Sequence, residues 1–149
     1  MFEPKDPNFV ERVTNSFSQQ NVMSTLNAKL EKVSAGEVDI SFPYHENLTQ
    51  QHGFIHAGII TTILDSACGY AAFTLMPVDA EVLSVEFKTN LLSPAKGESF
   101  IARANVVKPG RNITVTEAKI YAITEEKEKL VASMSGTMMA VFGRKDIKQ

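Results

Sequence analysis

The chain has 149 residues, a formal net charge of −2, and 44% apolar and 21% charged side chains. That balance fits one globular domain and argues against a disordered chain. There is no long basic run, so the electrostatic footprint of nucleic-acid binding is missing. Cys68 is the one cysteine, which excludes an intrachain disulfide and a cysteine framework for zinc.

The first nine residues, "MFEPKDPNF", lack the basic start and apolar stretch of a signal peptide, so a cytoplasmic location is expected. Residues 1–19 read as an N-terminal helical segment. The helix is expected over 7–18, with Asp6 as its cap and Pro7 at its first position. Phe9, Val10, Val13 and Phe17 form its apolar stripe. Next, "STLNAKLEKV" (24–33) and "EVDISFPY" (37–44) read as two strands around a turn at Ala35-Gly36. Val38, Ile40 and Phe42 alternate with Asp39 and Ser41, the pattern of a half-buried strand. "HENLTQQHG" is polar and loop-like.

From His56 to about Leu75 the chain is nearly all apolar, and its alanines favour a helix that ends before Pro77. Cys68 lies inside it and reads as a small buried hydrophobe. The stretch is long enough to span a bilayer. However, Asp65 would then sit near the membrane centre, at about 2.5–3.5 kcal/mol on insertion scales. A buried helix is therefore expected, and no membrane partner. Four strands follow, at 80–91, 98–108, 111–123 and 130–142. In the first, Val82, Ser84, Glu86 and Lys88 share one face, and Leu83, Val85, Phe87 and Thr89 the other. "SPAKGES" and "VKPGRN" supply turns, and "TEEKEK" reads as a charged, solvated one. Residues 143–149 are a tail. The whole, 1–149, reads as one α+β domain: an antiparallel sheet around one apolar helix. A helix apolar on nearly every side needs cover on nearly every side, and a second subunit can supply part of it.

On a helical wheel, Gly58, Thr61, Thr62, Asp65 and Gly69 fall on one narrow side. That stripe is either a solvated face or a tight cleft in which the carboxylate attacks a substrate or activates water. At the helix start, His56 and Ala57 lie where backbone N–H groups lack helical partners. Those donors, and the positive end of the helix dipole, favour an oxyanion. Gln50, in the loop leading in, can add an amide donor, so a thioester or ester carbonyl could be polarised there. Asp65 lies nine residues beyond His56, about 13 Å along the axis at the usual rise. One chain's Asp65 therefore does not easily serve its own helix start. Two antiparallel helices in a dimer would bring the groups together.

At these residues, "QQHGFIHAGIITTILD", the chain resembles the hotdog-fold acyl-CoA thioesterases of the PaaI-like group. Gln50, Gly53, His56, Gly58 and Asp65 match the family spacing, and "VEFKTNLLSPAKGE" and "VVKPGRNITVTEAKIY" extend the likeness over about residues 20–142. The resemblance implies a curved sheet of about six strands wrapped around the long helix, and hydrolysis of an acyl-CoA thioester to free acid and CoA. It implies Asp65 as nucleophile or general base and the Ala57 N–H, with Gln50, as the carbonyl's partner. His56 would orient the loop or assist the leaving thiolate; its alternative is a helix-start residue bonded to backbone. Lys108, Arg111 and Asn112 would meet the CoA phosphates, with an exposed turn as the alternative. Gly58, Ser66, Gly69 and Ser84 would line the substrate pocket. The oligomer would be a homodimer with shared sites, or a homotetramer. No cofactor or metal is implied.

Two positions depart from the family pattern. Ala57 replaces a glycine but keeps its N–H, and Gly69 stands where some relatives carry Ser or Thr, leaving Ser66 and Ser84 as substitute hydroxyls. Phe54, Phe73, Tyr70 and Met76 are candidates for an acyl pocket and equally for core. The main alternative is a non-catalytic acyl-CoA-binding or sensor protein on the same fold, which has no need of Asp65. A hotdog dehydratase would need a His-Phe-Pro loop, which is absent. A purely structural oligomer would leave the Gln50, His56 and Asp65 spacing unexplained.

Overall fold

The computed structural model describes residues 1–147; the last two residues of the expected tail lie outside that range. Two helices lead in, α1 (Phe9–Gln19) and the short α2 (Asn21–Thr25), followed by strands β1 (Lys29–Ser34) and β2 (Glu37–Pro43). After a 3-10 turn comes the long helix α3 (Ala57–Phe73), then β3 (Ala80–Leu91), β4 (Ser99–Lys108), β5 (Ile113–Thr124) and β6 (Lys127–Phe142). The strands form one antiparallel sheet in the order β1-β2-β4-β5-β6-β3. This is the expected α+β architecture.

The sheet wraps α3 because every central strand alternates. Phe100, Ala102, Ala104 and Val106 of β4, and Ala118, Ile120 and Ala122 of β5, are buried, while their odd-numbered neighbours are more open. Ile60, Ile63, Leu64, Ala67, Cys68 and Ala71 of α3 meet them with almost no exposed surface. Phe42 and Phe100 stack with ring centroids 5.0 Å apart beneath the helix. No helix among the described residues is long and apolar enough to cross a membrane.

Three local expectations need correction. The first strand does not begin at Ser24. Residues 21–25 make a helical turn, because Met23 and Leu26 bury themselves at the sheet edge. Asn27 then takes a left-handed φ of 52°, and the Ala28 N–H donates to Met23 O at 2.8 Å. That is a Schellman-type stop with Asn in glycine's usual place. Second, α1 begins at Phe9, with Asn8 at its cap and no side-chain cap bond, and Pro7 lies in the turn before it. Val10 is exposed, so its apolar stripe is narrower than expected. Third, β3 does not keep Ser84 and Glu86 on one face. A bulge at Val85 shifts the register between them, so Ser84 faces Met138 and Glu86 faces Thr137 across the β6 ladder. The extra residue reverses the alternation beyond it.

Asp6 is buried in a structural role. Its carboxylate accepts the Asn8 N–H at 2.9 Å and pairs with Arg12 at 3.2 Å. Arg12 lies over the Phe73 ring, 3.9 Å from its centroid, and donates to the carbonyls of Met76 and Ala80. One guanidinium thus ties α1 to the chain leaving α3. Arg12→Ala is expected to lower the unfolding free energy by about 3 kcal/mol, because it strands a buried carboxylate. Urea denaturation measures this. Arg12→Lys should recover little, since an ammonium cannot reproduce the planar fork.

In the β1–β2 turn Gly36 has φ +80°, and a Cβ there would stand 2.8 Å from the Phe2 ring. The N-terminal residues therefore fold back over this turn. The Gly36 N–H donates to Thr74 Oγ1 at 2.7 Å, which fixes the hairpin against the end of α3.

Candidate active site

The start of α3 is built by the chain entering it. Thr49 and Ile55 form a short bridge, and the His56 N–H donates to Leu48 O at 2.9 Å. His56 then caps the helix: its Nδ1 accepts the Gly58 N–H at 2.8 Å, and its carbonyl accepts from Ile59 and Ile60. Gly58 permits this, because a Cβ would lie 3.0 Å from that ring nitrogen. With Nδ1 an acceptor, the neutral ring carries its proton on Nε2. The backbone-bonded alternative for His56 is what the Nδ1 side shows, and the exposed Nε2–H remains a donor.

The capping consumes every early N–H of α3 except one. Among the described residues no acceptor takes the Ala57 N–H. Gln50 is likewise half engaged. Its Oε1 accepts the His52 N–H and its backbone N–H bonds Phe54 O, while its Nε2 has no partner among the described residues. Gln50, His56 and Ala57 line one cavity of about 490 Å³, whose remaining walls are mainly apolar and include Phe54, Ile60 and Leu92. Two unclaimed donors at a helix N-terminus, in apolar surroundings, suit a carbonyl oxygen that gains negative charge.

Asp65 stands on the half-open face of α3, in a different hollow. Ser84 of β3 donates to its Oδ1 at 2.7 Å, and the same hydroxyl touches Met138 Sδ at 3.3 Å. A hydroxyl has one proton, and the charged acceptor makes the stronger bond. The bulge after Ser84 sits where bulges commonly re-aim a side chain. This hollow, about 90 Å³, is bounded by Gln20, Asp65, Ser66, Gly69, Tyr70, Val82 and Ser84. It shares no residue with the cavity at the helix start. A Cβ placed on Gly69 would meet nothing within 4 Å, so the space beside it is open.

Of the two substitute hydroxyls, Ser84 meets Asp65 and Ser66 does not; Ser66 donates to Gln20 Oε1 at 2.9 Å. Lys108, Arg111 and Asn112 lie at the β4–β5 turn, and Arg111 borders a hollow with Phe2 and Met76, beyond the far end of α3. One chain therefore does not bring them to its own helix start. Phe73 and Met76 are core, Phe54 lines the helix-start cavity and Tyr70 the Asp65 hollow. Burial pushes the Cys68 thiol up to about 12, so it stays protonated and inert, the small hydrophobe expected. Gln20 and Ser16 escaped sequence reasoning. Both are ordinary polar residues in a polar stretch, and no spacing marks them.

Residues 52–129 match the thioesterase superfamily model. A Halobacterium salinarum protein named for esterase activity is 36% identical over 128 residues, covering 81% of this chain and 84% of its own. The crystal structure of a thioesterase family protein from Silicibacter pomeroyi superposes with a TM-score of 0.89 at 52% identity, covering 91% of this chain and 99% of that one. The Escherichia coli PaaI protein, from the phenylacetic acid degradation operon, shares the fold with a TM-score of 0.81 at 16% identity, over 91% of this chain and 95% of its own.

Proposed function

The chain belongs to the thioesterase superfamily and is a hotdog-fold thioester hydrolase, and from that premise we propose that it hydrolyses acyl-CoA thioesters at a site shared between two subunits. The observation that carries this reading is the division of the machinery along α3. The free Ala57 N–H and the Gln50 amide face one cavity, and the Ser84-held Asp65 faces another.

In this reading the thioester carbonyl oxygen accepts from the Ala57 N–H and from Gln50 Nε2. Asp65 of the other subunit takes a proton from water as it attacks the carbonyl carbon, or attacks that carbon directly. Ser84 occupies Oδ1 and leaves Oδ2 for the reaction. The C–S bond then breaks. On the general-base route the departing thiolate takes the proton that Asp65 took from water. On the nucleophilic route an Asp65 anhydride forms and water hydrolyses it, releasing the acid, restoring the carboxylate and giving a proton to the thiolate. On either route the His56 Nε2–H hydrogen-bonds the departing sulfur. The negative charge that builds on the carbonyl oxygen is met by fixed donors, which need no reorganisation.

Dimerisation is supported by the sheet edge. Among the described residues no strand pairs with the outer side of β3, and Leu83, Val85, Phe87 and Leu91 are exposed along it. An exposed apolar edge invites pairing with another strand. Pairing two β3 edges about a two-fold axis sets the α3 helices antiparallel, with each Asp65 toward its partner's helix start. The same arrangement carries one subunit's Lys108 and Arg111 toward the other's cavity, where they would meet the nucleotide phosphates.

The test is thiol release from acyl-CoAs of varied chain length and aromaticity, beside the same acyl groups on a short thiol lacking the nucleotide. Turnover of CoA esters supports the reading, and binding without turnover would favour a sensor. Neutralising Lys108 and Arg111 together should raise KM for acyl-CoA several-fold and spare the short thioesters. The difference should shrink with added salt, since exposed charges are screened beyond about 10 Å at 0.1 M. Equal effects on both substrates would remove these residues from nucleotide binding.

A further inference from the structure

The hollow beside Asp65 ends on a polar wall that the hydrolytic chemistry does not use. Ser16 of α1 and Tyr70 of α3, both buried, lie 3.1 Å apart at their oxygens. Gln20 Nε2 reaches the Tyr70 hydroxyl at 3.4 Å, and Gln20 Oε1 accepts from Ser66 at 2.9 Å. The Gln20 carboxamide is thus held from both ends, and it lies outside the residues 52–129 that match the family model.

A carboxamide offers two N–H groups and two lone pairs, and a serine hydroxyl accepts as well as donates. The contacts above use one N–H and one lone pair of Gln20 and the Ser66 proton. No other residue among those described takes the second Gln20 N–H, and none donates to Ser66 Oγ. One donor and two acceptors are therefore left on the rim of a hollow that begins at Asp65. A group that both donates and accepts would satisfy them, and a methyl group would leave them dry and unpaired. The hollow's volume of about 90 Å³ holds roughly three non-hydrogen atoms at ~30 Å³ per water-sized group.

Building on the acyl-CoA reading, we propose that Gln20, with Ser66, closes the acyl end of the Asp65 hollow and selects short acyl groups that carry a hydroxyl. The hydroxyl donates to Gln20 Oε1 or Ser66 Oγ and accepts from Gln20 Nε2. The two outer carbons of a four-carbon acyl chain and one hydroxyl oxygen fill that space, with the carbon next to the thioester carbonyl at its mouth beside Asp65. The junction between α1 and α2, where Gln20 lies, thereby sets specificity for a reaction whose reacting groups all lie on later elements.

The experiment compares kcat/KM for 3-hydroxybutyryl-CoA and butyryl-CoA in the wild type, in Gln20→Met and in Gln20→Ala. Methionine keeps the side-chain length without the hydrogen bonds, and the Gln20 side chain makes no cap bond whose loss would unfold α2. The wild type should favour the hydroxylated substrate by about tenfold or more, the scale of one or two net hydrogen bonds. Gln20→Met should bring that ratio close to one. Gln20→Ala should also raise hexanoyl-CoA relative to butyryl-CoA. Ser18→Ala, on the exposed side of α1 and bonded only to its own helix, should leave the ratio where it was. A wild type that turns over both substrates equally, or a ratio that survives Gln20→Met, overturns the selection by Gln20 and leaves the acyl-CoA reading standing. If no acyl-CoA is turned over at all, both fall together.

Discussion

Asp65→Asn is expected to fold and assemble like the wild type and to lose at least about a hundredfold in kcat, the contribution typical of a positioned general base. The amide is nearly isosteric, and its Oδ1 can still accept the Ser84 hydroxyl that holds the carboxylate at 2.7 Å. What it lacks is the basicity and nucleophilicity of the second oxygen. Asp65→Ala should lose as much or more, since it also releases Ser84. Because Asp65 is only partly buried, neither change opens a core cavity, and thermal unfolding should move little. Steady-state kinetics with an acyl-CoA, beside a melting curve, separates chemistry from folding. Turnover within a few-fold of wild type in Asp65→Asn would remove the carboxylate from the mechanism.

Much of the architecture was legible because its signals are periodic or compositional. The length and alanine content of the segment after His56 identified α3, and the Pro/Gly turns together with the charged "TEEKEK" turn bracketed the last four strands to within about three residues. The narrow stripe of Gly58, Thr61, Thr62, Asp65 and Gly69 proved to be the less buried side of that helix. The errors fall where single residues decide. Asn27 stops α2 through a left-handed backbone that a glycine would have advertised. The bulge at Val85 has no mark in a run that alternates well, and it is what sets Ser84 against Asp65 while Glu86 turns away.

The same contrast holds at the site. The helix-start donors could be foreseen, since the first turn of any helix leaves N–H groups unpaired. Helix geometry alone left open which of them stays free, and only the family resemblance named Ala57. The answer depends on His56 Nδ1 turning back to claim Gly58, which leaves Ala57. Contacts distant in sequence were illegible for a plainer reason. Arg12 reaches carbonyls beyond α3, and Gln20 reaches Ser66 and Tyr70, across separations of 46 to 68 residues. No local pattern reports such a meeting.

The second large effect is the recovery of activity from two inactive proteins. Within one chain the Ala57 N–H and the Asp65 carboxylate open into separate hollows, about 12 Å apart along α3 at the usual helical rise. On the proposed shared-site account, each working site takes its base from one subunit and its oxyanion donors from the other. Asp65→Ala removes the base and Gln50→Ala removes a donor, so each homodimer carries the same defect in both sites. A mixed dimer concentrates both defects in one site and leaves its other site intact. The decisive measurement is to mix the two variants, verify subunit exchange by native mass spectrometry, and assay acyl-CoA hydrolysis. Activity should rise from near zero toward half of the wild-type rate per mixed dimer. If mixed dimers form and the rate stays at the level of the separate variants, the site is built within one chain and the shared-site account is wrong.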